Sequence, residues 1–172
     1  MKKILISLVS VVVFFTTSAF AKQVTLLMDW FPQGNQSGYW QAEFDNRYHT
    51  DVTIKVKAGG PKVNTTTAVA SGQVEFGLQA SDSVMLANAK GAGLKGIFVS
   101  LDHVPYTLVY HPNTGVNSVK DLDGRPFAVK MGVTYWKWVK HTYGLNKVKE
   151  FPLTGDLGLF ARTPQQFQQG YS

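Results

Sequence analysis

The feature that most constrains this chain is an apolar alternation cut by proline and glycine, which then resumes at helical spacing. Residues 24–29 read as a strand, and Pro32, Gly34 and Asn35 forbid its continuation. From Ser37 to about Arg47 the apolar positions Tyr39, Trp40 and Phe44 fall at helical intervals. The unit is strand, loop, helix, and it recurs. Residues 51–57 alternate Val52, Ile54 and Val56 with polar neighbours, Gly59-Gly60-Pro61 turns the chain, and residues 62–71 read as a helix closed by Gly72. Residues 73–79 form a third short strand, after which Ser81 is placed to cap a helix running to Lys90. Three such units in succession predict a parallel sheet with right-handed crossovers.

Beyond this point the punctuation changes. Residues 94–101 and 106–110 are extended runs, and Pro112, Asn113 and Gly115 make a turn. Residues 118–124 form a capped helical turn before a strand over 126–131, and Gly132 and Thr134 open a helix over 135–143 that Gly144 ends. A strand over 147–152, a short helix over 156–161 and a turn at Thr163-Pro164 lead to Gln168-Gln169-Gly170-Tyr171. The pattern predicts two α/β lobes crossing at 106–112, with hinge closure over a cleft between them. The competing expectation is one larger α/β domain. In the two-lobe reading, 22–108 is the first part of lobe 1 and 109–172 is lobe 2.

The first residues carry an address. Lys2 and Lys3, the apolar run 4–15 and Ala19-Phe20-Ala21 make a signal peptide over 1–21, too short to span a bilayer comfortably. Export to a bacterial periplasm is expected. Lys and Arg number 17 against 11 Asp and Glu, a net charge of +6 that becomes +4 once Lys2 and Lys3 leave with the leader. The charges are scattered, so no nucleic-acid partner is expected. With no cysteine, disulfides, thiolate metal sites and a cysteine nucleophile are excluded.

Chemistry concentrates at the strand ends. Residues 28–40, MDWFPQGNQSGYW, gather Trp30, Phe31, Tyr39 and Trp40 around a loop offering Asp29, Gln33, Asn35, Gln36 and Ser37. Aromatic walls with a few polar groups at a strand's carboxyl end suit a small-molecule pocket, although each ring could equally pack a core. Gly59-Gly60-Pro61 with Lys62 reads either as an anion-binding helix amino end or as an ordinary tight turn. Thr134-Tyr135-Trp136 repeats the aromatic and hydroxyl pattern in the second lobe, and the two aromatic segments are expected to be opposing jaws that clamp one solute. Of the histidines, His49 and His141 are expected at surfaces, while His103 and His111 lie in the crossing. No zinc spacing, Gly-x-Ser-x-Gly elbow or calcium loop is present.

These residues resemble the periplasmic solute-binding proteins of ABC importers, in the branch that contains sulfonate, nitrate and taurine binders and thiamine-pyrimidine-precursor binders. The resemblance rests on DWFPQGNQSGYWQA, DVTIKVKAGGPKVN, ASGQVEFGLQASDSVMLA, VKDLDGRPFAVK, VTYWKWVKHTYG and FQQGYS, in the family's order. It implies a type II periplasmic-binding-protein fold, no cofactor and no catalysis. A monomer would capture a small polar or heteroaromatic solute and deliver it to a permease and ATPase at the inner membrane. It also implies ligand contacts at Asp29, Trp30, Asn35 and Tyr39 after the first strand, at Gly59, Gly60 and Asn64 in the glycine turn, at Ser81 and Asp82 after the third strand, and at Thr134, Tyr135 and Trp136 in the second lobe. Asp29 or Asp82 would favour a solute with a donor or cationic group, such as an aminopyrimidine, over a bare oxyanion. Family members run to roughly 300 residues, two lobes of ordinary domain size. Ending at Ser172, this chain is expected to lack the return half that follows FQQGYS. An exported enzyme of the same fold acting on a pyrimidine-like molecule is the alternative. The cysteine-rich motif of the related pyrimidine synthase has no counterpart here, which weakens it.

Overall fold

The computed structural model describes residues 21–45 and 51–171. The expected leader up to Phe20, the helix end near Arg47 and His49 lie outside the described residues. The first half contains β1 (Lys22–Leu27), α1 (Ser37–Phe44), β2 (Val52–Lys57), α2 (Thr65–Ala70), β3 (Phe76–Gly77) and α3 (Ser81–Asn88). Its sheet has the order β2-β1-β3, and β1 is parallel to both neighbours, with Leu26 opposite Val56 on one side and Phe76 on the other. All three strands therefore end on one rim.

The second half contains β4 (Tyr106–Tyr110), β5 (Pro126–Val129), α4 (Thr134–Tyr143), β6 (Lys149–Pro152), α5 (Leu157–Arg162) and β7 (Phe167–Tyr171), in a sheet of order β4-β7-β5-β6. β7 runs parallel to β5 and antiparallel to β4, where Tyr106 faces Tyr171 in register. The continuous apolar run of β5 fits a strand covered on both faces, and Phe127, Ala128 and Val129 are all buried. The main core joins Val116, Leu122, Phe127, Val129, Trp136, Leu145 and Phe167. Local chemistry sets the boundaries. Asp121 accepts from the backbone N–H groups of Asn117 and Ser118 at the turn before β5. Asp156 caps α5 by accepting from Leu159 N–H at 2.9 Å, and Gly144 ends α4 in the left-handed region at φ 69°.

Five expected elements differ. The helix placed at Lys62 begins instead at Thr65, because Asn64 Oδ1 accepts from Thr67 N–H and makes Asn64 the cap. The N-cap of α3 is Ala80, and Ser81 is its first helical residue. The strand expected over 73–79 shrinks to Phe76–Gly77. Residues 94–101 have strand-like composition but form no ladder with any described strand, which leaves Ile97, Phe98 and Val99 about three-quarters exposed. The last segment, read as a turn, supplies β7, a central strand of its sheet.

Candidate functional site

The loops after β1 and β3 share the rim where parallel strands end, and both contribute to a cavity of about 510 Å³, within the usual range for small-molecule sites. Asp29 and Trp30 follow β1, Gln36 and Tyr39 project from the start of α1, and Gln79, Ala80 and Ser81 follow β3. Tyr106 and Tyr171, paired across β4 and β7, supply the wall from the second sheet. The extended segment 98–105 closes the remaining side.

Lys130, just past β5, ties the two halves together. Its Nζ donates to the Asp29 carbonyl oxygen at 3.1 Å and stands 5.2 Å from the centre of the Trp30 ring. The Lys130 backbone N–H donates to Gln169 Oε1 at 3.2 Å. Trp30 itself packs on Ala128, Leu153 and Phe151, so the loop after β1 is anchored on the second sheet. Burial pushes the Asp29 carboxyl up, and the Lys130 charge only partly opposes it. Burial also pulls the Lys130 ammonium down, against the attraction of Asp29.

The aromatic wall is built from tyrosines. Tyr106 stacks on Tyr135 at 4.1 Å and meets Tyr171 edge-on at 5.2 Å. Burial raises the pKa of all three hydroxyls, which therefore stay protonated near neutral pH. Among the described residues, Gln36 Oε1, Tyr39 Oη and Trp40 Nε1 at and after the start of α1, and Tyr135 Oη and Trp136 Nε1 on α4, are buried without a hydrogen-bond partner.

A second cavity of about 450 Å³ adjoins the first at Gln79 and is lined by Lys62, Lys90 and Lys130 together with Thr66, Thr67 and Thr134. Its positive lining suits an anion.

Of the residues expected to contact ligand, Asp29, Trp30, Asn35, Tyr39 and Ser81 line the larger cavity, while Asn64 and Thr134 line the smaller one. The others do not line either. A Cβ on Gly59 would lie 2.1 Å from the Met28 carbonyl oxygen, and the Gly59 N–H donates to Trp30 O, so this glycine serves backbone packing. Gly60 lies under the Phe31 ring. Asp82 accepts from Ser83 N–H within its own helix turn. Tyr135 sits behind Tyr106, and Trp136 is a core residue, 4% exposed and packed on Phe127. Successive helical residues are turned about 100° apart, so Thr134, Tyr135 and Trp136 cannot share one wall. Trp30 and Tyr135 are therefore not opposing jaws; Tyr106, in front of Tyr135, is the ring at the cavity.

Three of the histidines are among the described residues. His111 Nε2 bonds the Phe160 carbonyl oxygen at 2.9 Å and its ring stacks on Phe160, while His103 lies at the cavity edge paired with exposed Asp102. His141 is exposed on α4. No cluster of three metal-ligating side chains exists among the described residues, and none of their helices is long and apolar enough to cross a membrane.

Sequence reasoning missed Tyr106, Tyr171 and Lys130, and passed over Gln36 within a polar loop. Tyr106 and Tyr171 stand at the ends of segments read only as extended or turning, and which ends meet is decided by β4–β7 pairing. A lysine directly after the apolar run of β5 was the available signal for Lys130.

Comparison with known proteins gives concordant results. The family described as "NMT1/THI5 like" matches residues 34–149. A 4-amino-5-hydroxymethyl-2-methylpyrimidine phosphate synthase of Legionella pneumophila is 27% identical over 116 residues, covering 63% of this chain and 34% of that protein. The crystal structure of the periplasmic aliphatic sulphonate binding protein SsuA from Escherichia coli superposes with a TM-score of 0.53 at 14% identity, covering 88% of this chain and 51% of that one. The chain thus spans about a third of the curated relative and half of the solved structure. At this identity the structural likeness establishes a periplasmic-binding-protein-like α/β fold alone.

Proposed function

Since the chain belongs to the NMT1/THI5-like family, we propose that it is the periplasmic substrate-binding component of an ABC importer, capturing a small polar or heteroaromatic solute for a permease and ATPase. Candidate solutes are a thiamine-pyrimidine precursor and a sulfonate or nitrate-like anion. The observation that carries this reading is the 510 Å³ cavity at the strand ends, walled by Trp30, Tyr39, Tyr106 and Tyr171 and furnished with the Asp29 carboxylate. The lysine-lined cavity beside it would receive an anionic substituent. In this reading, 22–108 and 109–172 are two lobes, with β4 and β7 as the paired crossings between them.

The Legionella relative is named a synthase, which motivates a second reading, an exported enzyme of the same fold acting on a pyrimidine-like molecule. General acid–base chemistry requires a positioned proton carrier in the site. The cavity-edge candidate, His103, is exposed and held by its neighbour Asp102. One experiment separates the readings. The protein is incubated with an aminopyrimidine and, separately, with an alkanesulfonate, and both the melting temperature and the mass of each solute are followed. A receptor melts higher with rising solute, and the solute comes back unchanged. A changed mass would overturn the receptor reading.

A further inference from the structure

The chain leaves α3 at a fixed point and then exposes a segment of strand-like composition. Asn88 holds both backbone groups of Leu94, its Nδ2 donating to the Leu94 carbonyl oxygen at 2.9 Å and its Oδ1 accepting from the Leu94 N–H at 2.8 Å. From Lys95 to Leu101, no backbone N–H or carbonyl has a hydrogen-bond partner among the described residues, and every residue is exposed. Water can satisfy those polar groups but not the side chains beside them. Ile97, Phe98, Val99 and Val104 are about three-quarters exposed, Leu101 is 53% exposed, and Met85 on α3 is 72% exposed. Together these six present on the order of 800 Å² of apolar surface, beyond the roughly 300–600 Å² of the largest patch on a typical monomer and close to one partner's share of a standard interface. A bare backbone carrying β-branched and aromatic side chains is a template for strand pairing.

The segment is complementary to itself. An antiparallel pair of identical strands related by a twofold axis has one residue opposite its own copy. With Val99 at that point, Ile97 falls opposite the second copy's Leu101, and the alternation of 97, 99 and 101 puts all six aliphatic side chains on one face. On the other face Phe98 lies opposite Ser100. At each end Lys95, which has no ion pair among the described residues, meets the pair formed by Asp102 and His103, whose carboxylate oxygen and ring nitrogen are 2.6 Å apart. An axis at Phe98 would instead set Lys95 against Leu101 and Asp102 against Leu94, leaving both charges on apolar partners. Parallel pairing in register would put Lys95 on Lys95 and Asp102 on Asp102, and would stay open to further copies. We propose that residues 95–103 are a dimerisation strand, paired antiparallel about Val99 with the same segment of a second copy, in place of the monomer that the family resemblance implies. Dimerisation is independent of the receptor reading. Because residues 98–105 wall the larger cavity, it would also order that wall.

Sedimentation equilibrium of the protein should show a monomer–dimer equilibrium with a Kd of about 10 µM or tighter. Val99→Lys sets two like charges face to face and should raise that Kd tenfold or more, with the thermal melt showing a folded chain. The natural chain has no cysteine, so single cysteines report the register. Val99→Cys places a thiol opposite its own copy at a Cα spacing of about 4.5–5.5 Å, within disulfide reach, whereas Ser100→Cys faces Phe98. Mild oxidation should therefore cross-link Val99→Cys at least fivefold faster than Ser100→Cys. A wild type that stays monomeric across the micromolar range overturns the proposal, as does equal cross-linking of the two variants or a dimer indifferent to Val99→Lys. Should Val99→Lys fail to fold, the cysteine variants decide. A monomer that instead floats with phosphatidylglycerol vesicles would assign the patch to a lipid surface and would equally overturn the dimer.

Discussion

At the scale of single residues, the same residue type serves different ends depending on which face of an element carries it. Trp30 and Trp136 both follow strand ends in sequence, yet Trp30 borders the cavity and Trp136 packs on Phe127 in the core. Trp136→Ala should therefore destabilise the protein by about 3–5 kcal/mol in a urea melt, with no selective loss of solute binding in the protein that remains folded. Burial of the Asp29 carboxyl makes stability depend on pH. Its folded pKa is raised above 3.8, so the folded state holds the proton more tightly than the unfolded chain. Its contribution to stability is fully present below 3.8 and is lost as pH rises through the folded value. Asp29→Asn should accordingly be at least as stable as the wild type at pH 7, an advantage that fades on acidification toward pH 4. Denaturation midpoints across that range check it, and a variant destabilised at pH 7 would mean that attraction to Lys130 outweighs burial. Alternation and punctuation made the Asp29 loop legible as a candidate site. They could not tell Tyr135 from Tyr106, because which ring stands in front depends on the docking of α4 on the second sheet.

At the scale of elements, the strands and helices followed from local chemistry, with errors where a side-chain cap competed with a turn. Asn64 moved the start of α2 past the glycine turn, a local hydrogen bond that spacing alone does not reveal. The β4–β7 crossing was the larger omission. A turn reading of the last segment was natural given Thr163-Pro164, but Gln168 and Gln169 are buried in β7, opposite Val109 and Leu108. Gly170 is the close point of this crossing: an added Cβ would lie 2.4 Å from Val109 Cγ2. Gly170→Ala should cost about 1–3 kcal/mol by overpacking, and should lower solute affinity as well if β4 and β7 hold Tyr106 and Tyr171 in place. Gly144→Ala, at φ 69° with open space around it, should cost about 1–2 kcal/mol and leave affinity unchanged. Thermal melts and titrations on the two variants distinguish a crossing that positions the site from one that only holds the sheet together.

At the scale of the whole molecule, the division into two sheets was legible because the parallel strand–helix repeats stop near residue 110 and a new set begins. What joins the sheets was not. Lys130 and Trp30 make that connection through contacts between residues about a hundred positions apart, beyond the reach of any local pattern. The apolar segment at Ile97 to Val99 was equally opaque, since its composition specifies a strand and the described residues provide no strand to pair with it. In the receptor reading, the cavity where these parts meet holds one solute and releases it intact. Equilibrium dialysis of labelled 4-amino-2-methylpyrimidine against the protein tests this most directly. A receptor should saturate at about one molecule per chain, with the label recovered as the starting compound. Retention no greater than in a protein-free control, or a label recovered in a different molecule, would contradict it.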